Sequence, residues 1–315
     1  MAKINFGMRL VGATLGRMSV ATQPTARIVK SQQRTVPHNP IIDLLLGGVA
    51  SGVTTRDATA RGADGQIAIR VYRPTAAAGT LPLVVLMHGG GWISGDLNTH
   101  DWLASEVARG ADAVVVSLAY RLAPTHRWPV AAEDCYAALC DVAARAAEWQ
   151  ADASRLAVMG DSAGGNLAAV AALMARDRSG PALAYQALIY PATDLTMASP
   201  SIDENAHAPI LTKTDMVAYT AHYTDPEQRR DPYASPLLAP DHAGLPPALV
   251  QVAEHDPLRD DGLRYAAALQ AAGVPVTVSC HEGKTHGFYA FPRVSHAADA
   301  LAELCDSLRA GLHAA

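Results

Sequence analysis

A serine held between small residues is the first place where this chain could do chemistry. Ser162 stands in Gly160-Asp161-Ser162-Ala163-Gly164, directly after the apolar run 156–159 and before the alanine-rich stretch 163–178. That order predicts a strand, a sharp turn and a helix, the context in which a G-x-S-x-G segment lifts a nucleophile to the rim of a sheet. Small flanking residues let neighbouring backbone pass close to a strained serine, and the following helix N-terminus favours negative charge developing there.

A second segment, His88-Gly89-Gly90-Gly91-Trp92, follows the apolar run 83–87. Three successive glycines lose much backbone entropy on folding, which makes sense where bare N–H groups must face a ligand. The expected donors to an oxyanion are Gly90 and Gly91, joined by the N–H of Ala163. A phosphate-cradling loop would need the lysine of a P-loop or the spacing of a dinucleotide fingerprint, and neither is present. His88 reads as structural, tying down the glycine loop. Trp92 reads as a core residue, with a place on the pocket wall as the alternative.

A serine hydroxyl is a weak nucleophile at neutral pH, so it needs a base and a group that orients the base. Asp256 falls in the loop straight after the run 248–253, and His286 after the run 276–280 with Gly287 beside it. Serine, acid, histidine is the chain order of α/β hydrolases. Asp260 and Asp261 read as first-turn charges favoured by a helix dipole. His281 and His255 are distant substitutes for His286, and His281 with His286 makes no recognised zinc frame. No metal is expected.

These residues need a scaffold. Segment 66–73 alternates Ile67, Ile69 and Val71 against Arg70 and Arg73, the period of a half-buried strand, and Pro74 ends it. Short apolar runs at 83–87, 113–118, 156–159, 184–190, 248–253 and 276–280 suit central parallel strands covered on both faces. Helical patterns lie between them at 99–109 closed by Gly110, 129–148, 163–178, and 259–272 closed by Gly273. The alternation predicts an α/β fold with a mostly parallel, doubly wound sheet. Between Pro191 and Pro247 lie nine of the 20 prolines, a density no central strand tolerates. Residues 193–235 are therefore read as a cap insertion, with residues 1–50 as its N-terminal part and the catalytic core at 51–192 and 236–315.

Composition bounds the remaining classes. With 315 residues, 50% hydrophobic and 17% charged, the chain has material for a large core, which excludes disordered and collagen-like proteins. The longest apolar run, nine residues at 167–175, is half of the roughly 18 to 20 that a membrane-spanning helix needs. A net charge of −5 without blocks of like charge gives no footprint for nucleic acid or anionic lipid. The four cysteines form no C-x-x-C pair and read as structural thiols in a reducing compartment, with Cys135 and Cys140 diverging because they are five positions apart. Lys3, Arg9 and the stretch 10–15 faintly suggest a secretory signal, yet Gly12, Gly16 and Arg17 interrupt it, so a cytoplasmic location is expected.

From Asp64 to His286 the chain resembles the hormone-sensitive-lipase-like esterases, also called bacterial family IV carboxylesterases, of the α/β-hydrolase superfamily. The motifs that carry the resemblance are Asp64-Gly65, Arg73-Pro74, His88-Gly89-Gly90-Gly91-Trp92, Tyr120-Arg121-Leu122-Ala123-Pro124, Gly160-Asp161-Ser162-Ala163-Gly164-Gly165-Asn166, Asp256-Pro257-Leu258-Arg259-Asp260 and His286-Gly287-Phe288. The resemblance implies an eight-stranded sheet with a helical cap, and hydrolysis of short- to medium-chain carboxylic esters through an acyl-enzyme without a cofactor. It carries over Ser162, Asp256 and His286 as triad, and Gly90, Gly91 and Ala163 as oxyanion donors. It also implies a homodimer through the edge strand near 276–280. Trp92, Tyr190, Tyr219 and Phe288 are the expected pocket lining. Thr125 departs from the family, where many relatives have glutamate after Tyr-Arg-Leu-Ala-Pro. Two other readings share the scaffold. An arylacetamide-type amidase or deacetylase would carry every motif quoted, whereas a non-catalytic receptor, as in the plant gibberellin receptors, would lack His286.

Overall fold

Eight strands make one sheet in the computed structural model of the chain, which describes residues 2–15 and 19–313. Three helices come first: α1 (Phe6–Leu15), α2 (Thr25–Gln32) and α3 (Pro40–Leu46). The strands β1 (Val53–Arg61), β2 (Gln66–Pro74) and β3 (Leu81–Met87) follow, then α4 (Asp101–Ala111), β4 (Val114–Leu118), α5 (Val130–Ala144), β5 (Ala151–Asp161), α6 (Ala163–Asp177) and β6 (Tyr185–Ile189). Helices α7 (Ser201–Glu204) and α8 (Lys213–Tyr223) precede β7 (Ala248–His255). The chain closes with α9 (Arg259–Ala271), β8 (Val276–Thr285), α10 (Pro292–Ser295) and α11 (Ala298–His313). The spatial order is β1-β2-β4-β3-β5-β6-β7-β8. Strand β2 runs antiparallel to β1 and β4, and every other pairing is parallel.

The apolar runs are continuous because both faces of the central strands are covered. Leu83, Val85 and Met87 of β3 pack with the faces of α5 and α6, whereas Val84 and Leu86 pack with α4 and α11. Side chains alternate along a strand, so burying both faces demands an apolar residue at every position. Strand β1 has no such run: most of its residues are exposed at the sheet edge, and Thr54, Thr55, Arg56 and Asp57 hide its strand character.

Two helix ends differ from expectation. Gly110 lies inside α4, which ends one residue later at Ala111 and is capped by Asp112 in the left-handed region with φ 53°. A methyl group on Gly110 would sit 2.4 Å from Cys305 Sγ, so close approach of α11 explains this glycine. The pattern at 129–148 breaks after Ala144, and its last part is the short 3₁₀ turn Ala146–Trp149.

Between β6 and β7 there is no strand among the described residues, only α7, α8 and short 3₁₀ turns. Asp260 and Asp261 stand in the first turn of α9, but Asp261 is not a solvated charge. It is fully buried and accepts the N–H groups of Thr193 and Asp194, both at 3.0 Å, and the Ser199 hydroxyl. Burial pushes its carboxyl up to about 7. Asp261 thus ties the start of the 193–235 excursion to α9. No helix among the described residues is long and apolar enough to cross a membrane. Gly16 and Arg17, which interrupt the apolar N-terminal stretch, lie outside the described residues.

Candidate active site

Strand β5 delivers Ser162 into a backbone conformation that only a tight turn explains, φ 57° and ψ −120°. The Ser162 N–H is held by the Ile189 carbonyl at 2.8 Å, and α6 begins at the next residue. A methyl on Gly160 would lie 2.2 Å from the Gly164 carbonyl oxygen, and one on Gly164 would lie 2.0 Å from that of Met87. Any side chain at either position would push β3 and β5 away from the turn.

Two other strand ends complete the set. His286, just past β8, places Nε2 2.8 Å from Ser162 Oγ and Nδ1 2.8 Å from Asp256 Oδ2. Asp256, just past β7, is fully buried, and its other oxygen accepts the Leu258 N–H at 2.8 Å. Serine, imidazole and carboxylate are therefore linked in a line. His281 and His255, the distant substitutes, face Glu303 and the Ala2 carbonyl instead.

The glycine loop after β3 meets the same spot. Gly90 has φ 123° and Gly91 φ 60°, so both use the left-handed freedom of glycine. Gly90, Gly91, Ser162, Ala163 and His286 all line one cavity of about 280 Å³. Among the described residues, the N–H groups of Gly90, Gly91 and Ala163 make no hydrogen bond outside helices and strands. Behind the loop, Asp161 accepts the Gly89 N–H at 2.8 Å and faces His100 Nε2 at 3.0 Å. Burial opposes the charge on both partners, yet their mutual attraction outweighs it, raising His100 and lowering Asp161. Sequence reasoning missed this pair. Asp161 lies within the serine motif, but nothing local connects it to His100, 61 positions away.

His88 sits under the loop, stacked on Tyr120 with ring centroids 4.3 Å apart and with Nδ1 2.8 Å from the Gly89 carbonyl oxygen. Burial, then the charge of His100, push its imidazole down to about 4. The unfolded chain binds that proton near 6.5 and the folded chain near 4, so stability is intact above 6.5 and declines as pH falls through that window. The decline amounts to about 3 kcal/mol from this group. Urea unfolding at pH 7 and pH 4 should show that extra loss in the wild type and not in His88→Gln. Equal losses in both would rule out the buried imidazole as its source.

The four expected lining residues separate. Tyr190 and Tyr219 line the cavity, Tyr190 meeting the His286 ring edge-on at 4.8 Å and Tyr219 reaching over from α8. Trp92 touches the cavity but is 4% exposed, with its ring stacked on Tyr223 at 4.4 Å. Phe288 does not line it, contrary to expectation. Gly287, at φ 68°, turns the chain so that His286 faces the cavity while Phe288 is fully buried against Tyr190, Tyr289 and His281. Met197, Ile210, Leu211 and Met216 supply apolar wall that the sequence did not reveal. No cluster of histidine, cysteine or acidic side chains among the described residues could hold a metal ion.

Residues 84–290 match the family described by its alpha/beta hydrolase fold. The chain belongs to that family. It is 48% identical over 260 residues to the carboxylesterase NlhH of Mycobacterium tuberculosis, covering 80% of this chain and 82% of that one. It is 41% identical over 280 residues to the esterase LipI of the same organism, covering 86% and 83%. Among solved structures, the esterase of Pyrobaculum calidifontis superposes with a TM-score of 0.85 at 39% identity, over 98% of both chains. Within the α/β hydrolases the chain therefore stands with the hormone-sensitive-lipase-like carboxylesterases, the family its motifs resemble. The hydrolase sheet is the eight-stranded, mostly parallel one described above.

Proposed function

We propose that this chain is a serine carboxylesterase in which Ser162 is the nucleophile, His286 the base and Asp256 the orienting carboxylate. The observation that carries the reading is the line of two 2.8 Å contacts from Ser162 Oγ through the His286 ring to Asp256. As Oγ attacks an ester carbonyl, Nε2 takes its proton, and the Nδ1–H bond to Asp256 holds the ring and stabilises the imidazolium. The carbonyl oxygen gains negative charge where the N–H groups of Gly90, Gly91 and Ala163 converge, at the N-terminus of α6. His286 then gives its proton to the leaving alcohol. Water, deprotonated by the same nitrogen, releases the acid and restores Ser162. Every proton in this cycle passes through one imidazole and no cofactor takes part.

Residues 1–50 and 193–235 form the cap over residues 51–192 and 236–315. The contacts of Ser19 with Asp215 and of Arg127 with the carbonyls of Ala221 and His222 support this, because they pin α8 to both parts. A cavity of about 280 Å³ lies just under the roughly 300 to 1,000 Å³ of ligand pockets, which supports short- to medium-chain substrates. Hydrolysis of p-nitrophenyl esters from acetate to palmitate should peak in that range. Absence of turnover with every ester, from folded protein, would contradict the reading and favour an amidase or a receptor.

The free thiols of Cys135, Cys140, Cys280 and Cys305 support a reducing, cytoplasmic setting. Strand β8 is at the sheet edge with Val278 38% exposed, which supports a homodimer formed by pairing two copies of β8. Sedimentation equilibrium should give twice the 33.0 kDa chain mass, and Val278→Lys should halve it. A wild-type monomer at micromolar concentration would refute the dimer.

A further inference from the structure

A second cavity, of about 640 Å³, lies beside the catalytic one under the N-terminal helices. Its wall combines the apolar Val20, Ile28, Ile93 and Ala208 with polar residues at its rim, Arg9 and His207 among them. The two cavities have three wall residues in common, Ser94, Ile210 and Tyr219. Tyr219 is the largest of these. Its ring is seated against the glycine loop so closely that a methyl group on Gly91 would lie 2.1 Å from Cδ1.

The ring is also fixed at both ends of its helix. Asp215, one turn earlier in α8, accepts the hydroxyls of Thr212 and Ser19, the latter from the N-terminal segment. One turn later, Trp128 donates its N–H to the Tyr223 carbonyl at 2.8 Å, and Trp92 stacks on the Tyr223 ring. A helix held at both ends presents Tyr219 as a wall rather than as a mobile side chain.

We infer that Tyr219 is a specificity-determining partition that closes the catalytic cavity to a second binding cavity fitted for the far end of a long unbranched aliphatic chain. This rests on the esterase reading above. With the ring in place, a chain that outgrows the catalytic cavity does not reach the second one. With the ring removed, the two volumes join beside the glycine loop. Each methylene then received by apolar wall strengthens binding about fourfold.

The test compares wild type, Tyr219→Ala and Tyr219→Leu on two series. One is p-nitrophenyl esters from butyrate to laurate, and the other is alkyl acetates from butyl to dodecyl. In both variants the ratio of kcat/KM on the long members of one series to kcat/KM on butyrate should rise about tenfold or more, which identifies whether acyl or alkyl chains enter. Adding Ala208→Phe, at a residue that lines only the second cavity, puts a ring in the path of the chain there and should cut the gain on the long esters back toward the wild-type ratio. Retained butyrate activity with no gain in either series, or a gain that survives Ala208→Phe, would overturn the partition. Loss of butyrate hydrolysis by the wild type itself would instead overturn the esterase reading.

Discussion

Ser162→Ala should lower kcat toward p-nitrophenyl butyrate on the order of a millionfold while leaving the unfolding midpoint nearly unchanged. The size follows from the geometry. Oγ is the only hydroxyl 2.8 Å from His286 Nε2 among the described hydrogen bonds, so its loss removes the covalent route altogether. The remaining rate would come from the proposed oxyanion donors, the N–H groups of Gly90, Gly91 and Ala163, which the substitution leaves in place. His286→Ala should cost about as much, and the double variant little more, because the two act as one unit. Steady-state kinetics on all three variants would check this. Multiplicative losses would mean that serine and histidine do not share a step.

Asp256→Asn should lower kcat on the order of ten-thousandfold with KM hardly altered. The carboxylate has both oxygens engaged, one by the His286 ring and one by the Leu258 N–H. An asparagine can satisfy only one of these acceptor demands. If its carbonyl takes the Leu258 N–H, its NH₂ faces Nδ1 and forces the proton to Nε2, the nitrogen that must accept from Ser162. If it turns over, the NH₂ meets a backbone N–H in a fully buried site. The first outcome removes the base, and the second keeps it only by opposing two buried donors. A pH–rate profile should then show the residual activity rising in proportion to hydroxide. A loss below tenfold would show that Asp256 does not orient the ring.

Ser162 and Asp256 were legible because each follows an apolar run that becomes a central strand, β5 and β7, whereas the run before His286, expected as a central strand, is the largely uncovered edge strand β8. Burial on both faces writes that pattern directly into sequence. What was hidden depends on tertiary placement. Strand β1 is an exposed edge with no run to announce it, and the His100–Asp161 pair joins positions far apart in the chain. Phe288 was expected in the pocket lining, but Gly287 turns the chain between it and His286. Asp261 read only as a first-turn charge of a helix because its partners Thr193, Asp194 and Ser199 belong to the proline-rich excursion. Tyr219 was legible as a residue of that excursion, and its seat against Gly91 was not.

The most direct test of Ser162 as nucleophile is to trap the covalent enzyme. The protein would be treated with an organophosphate ester, digested and weighed peptide by peptide. The expected result is a single phosphoryl adduct on Ser162, formed in step with loss of esterase activity and absent from Ser162→Ala and strongly slowed in His286→Ala. An adduct on another residue, or full inactivation with Ser162 unmodified, would contradict the assignment.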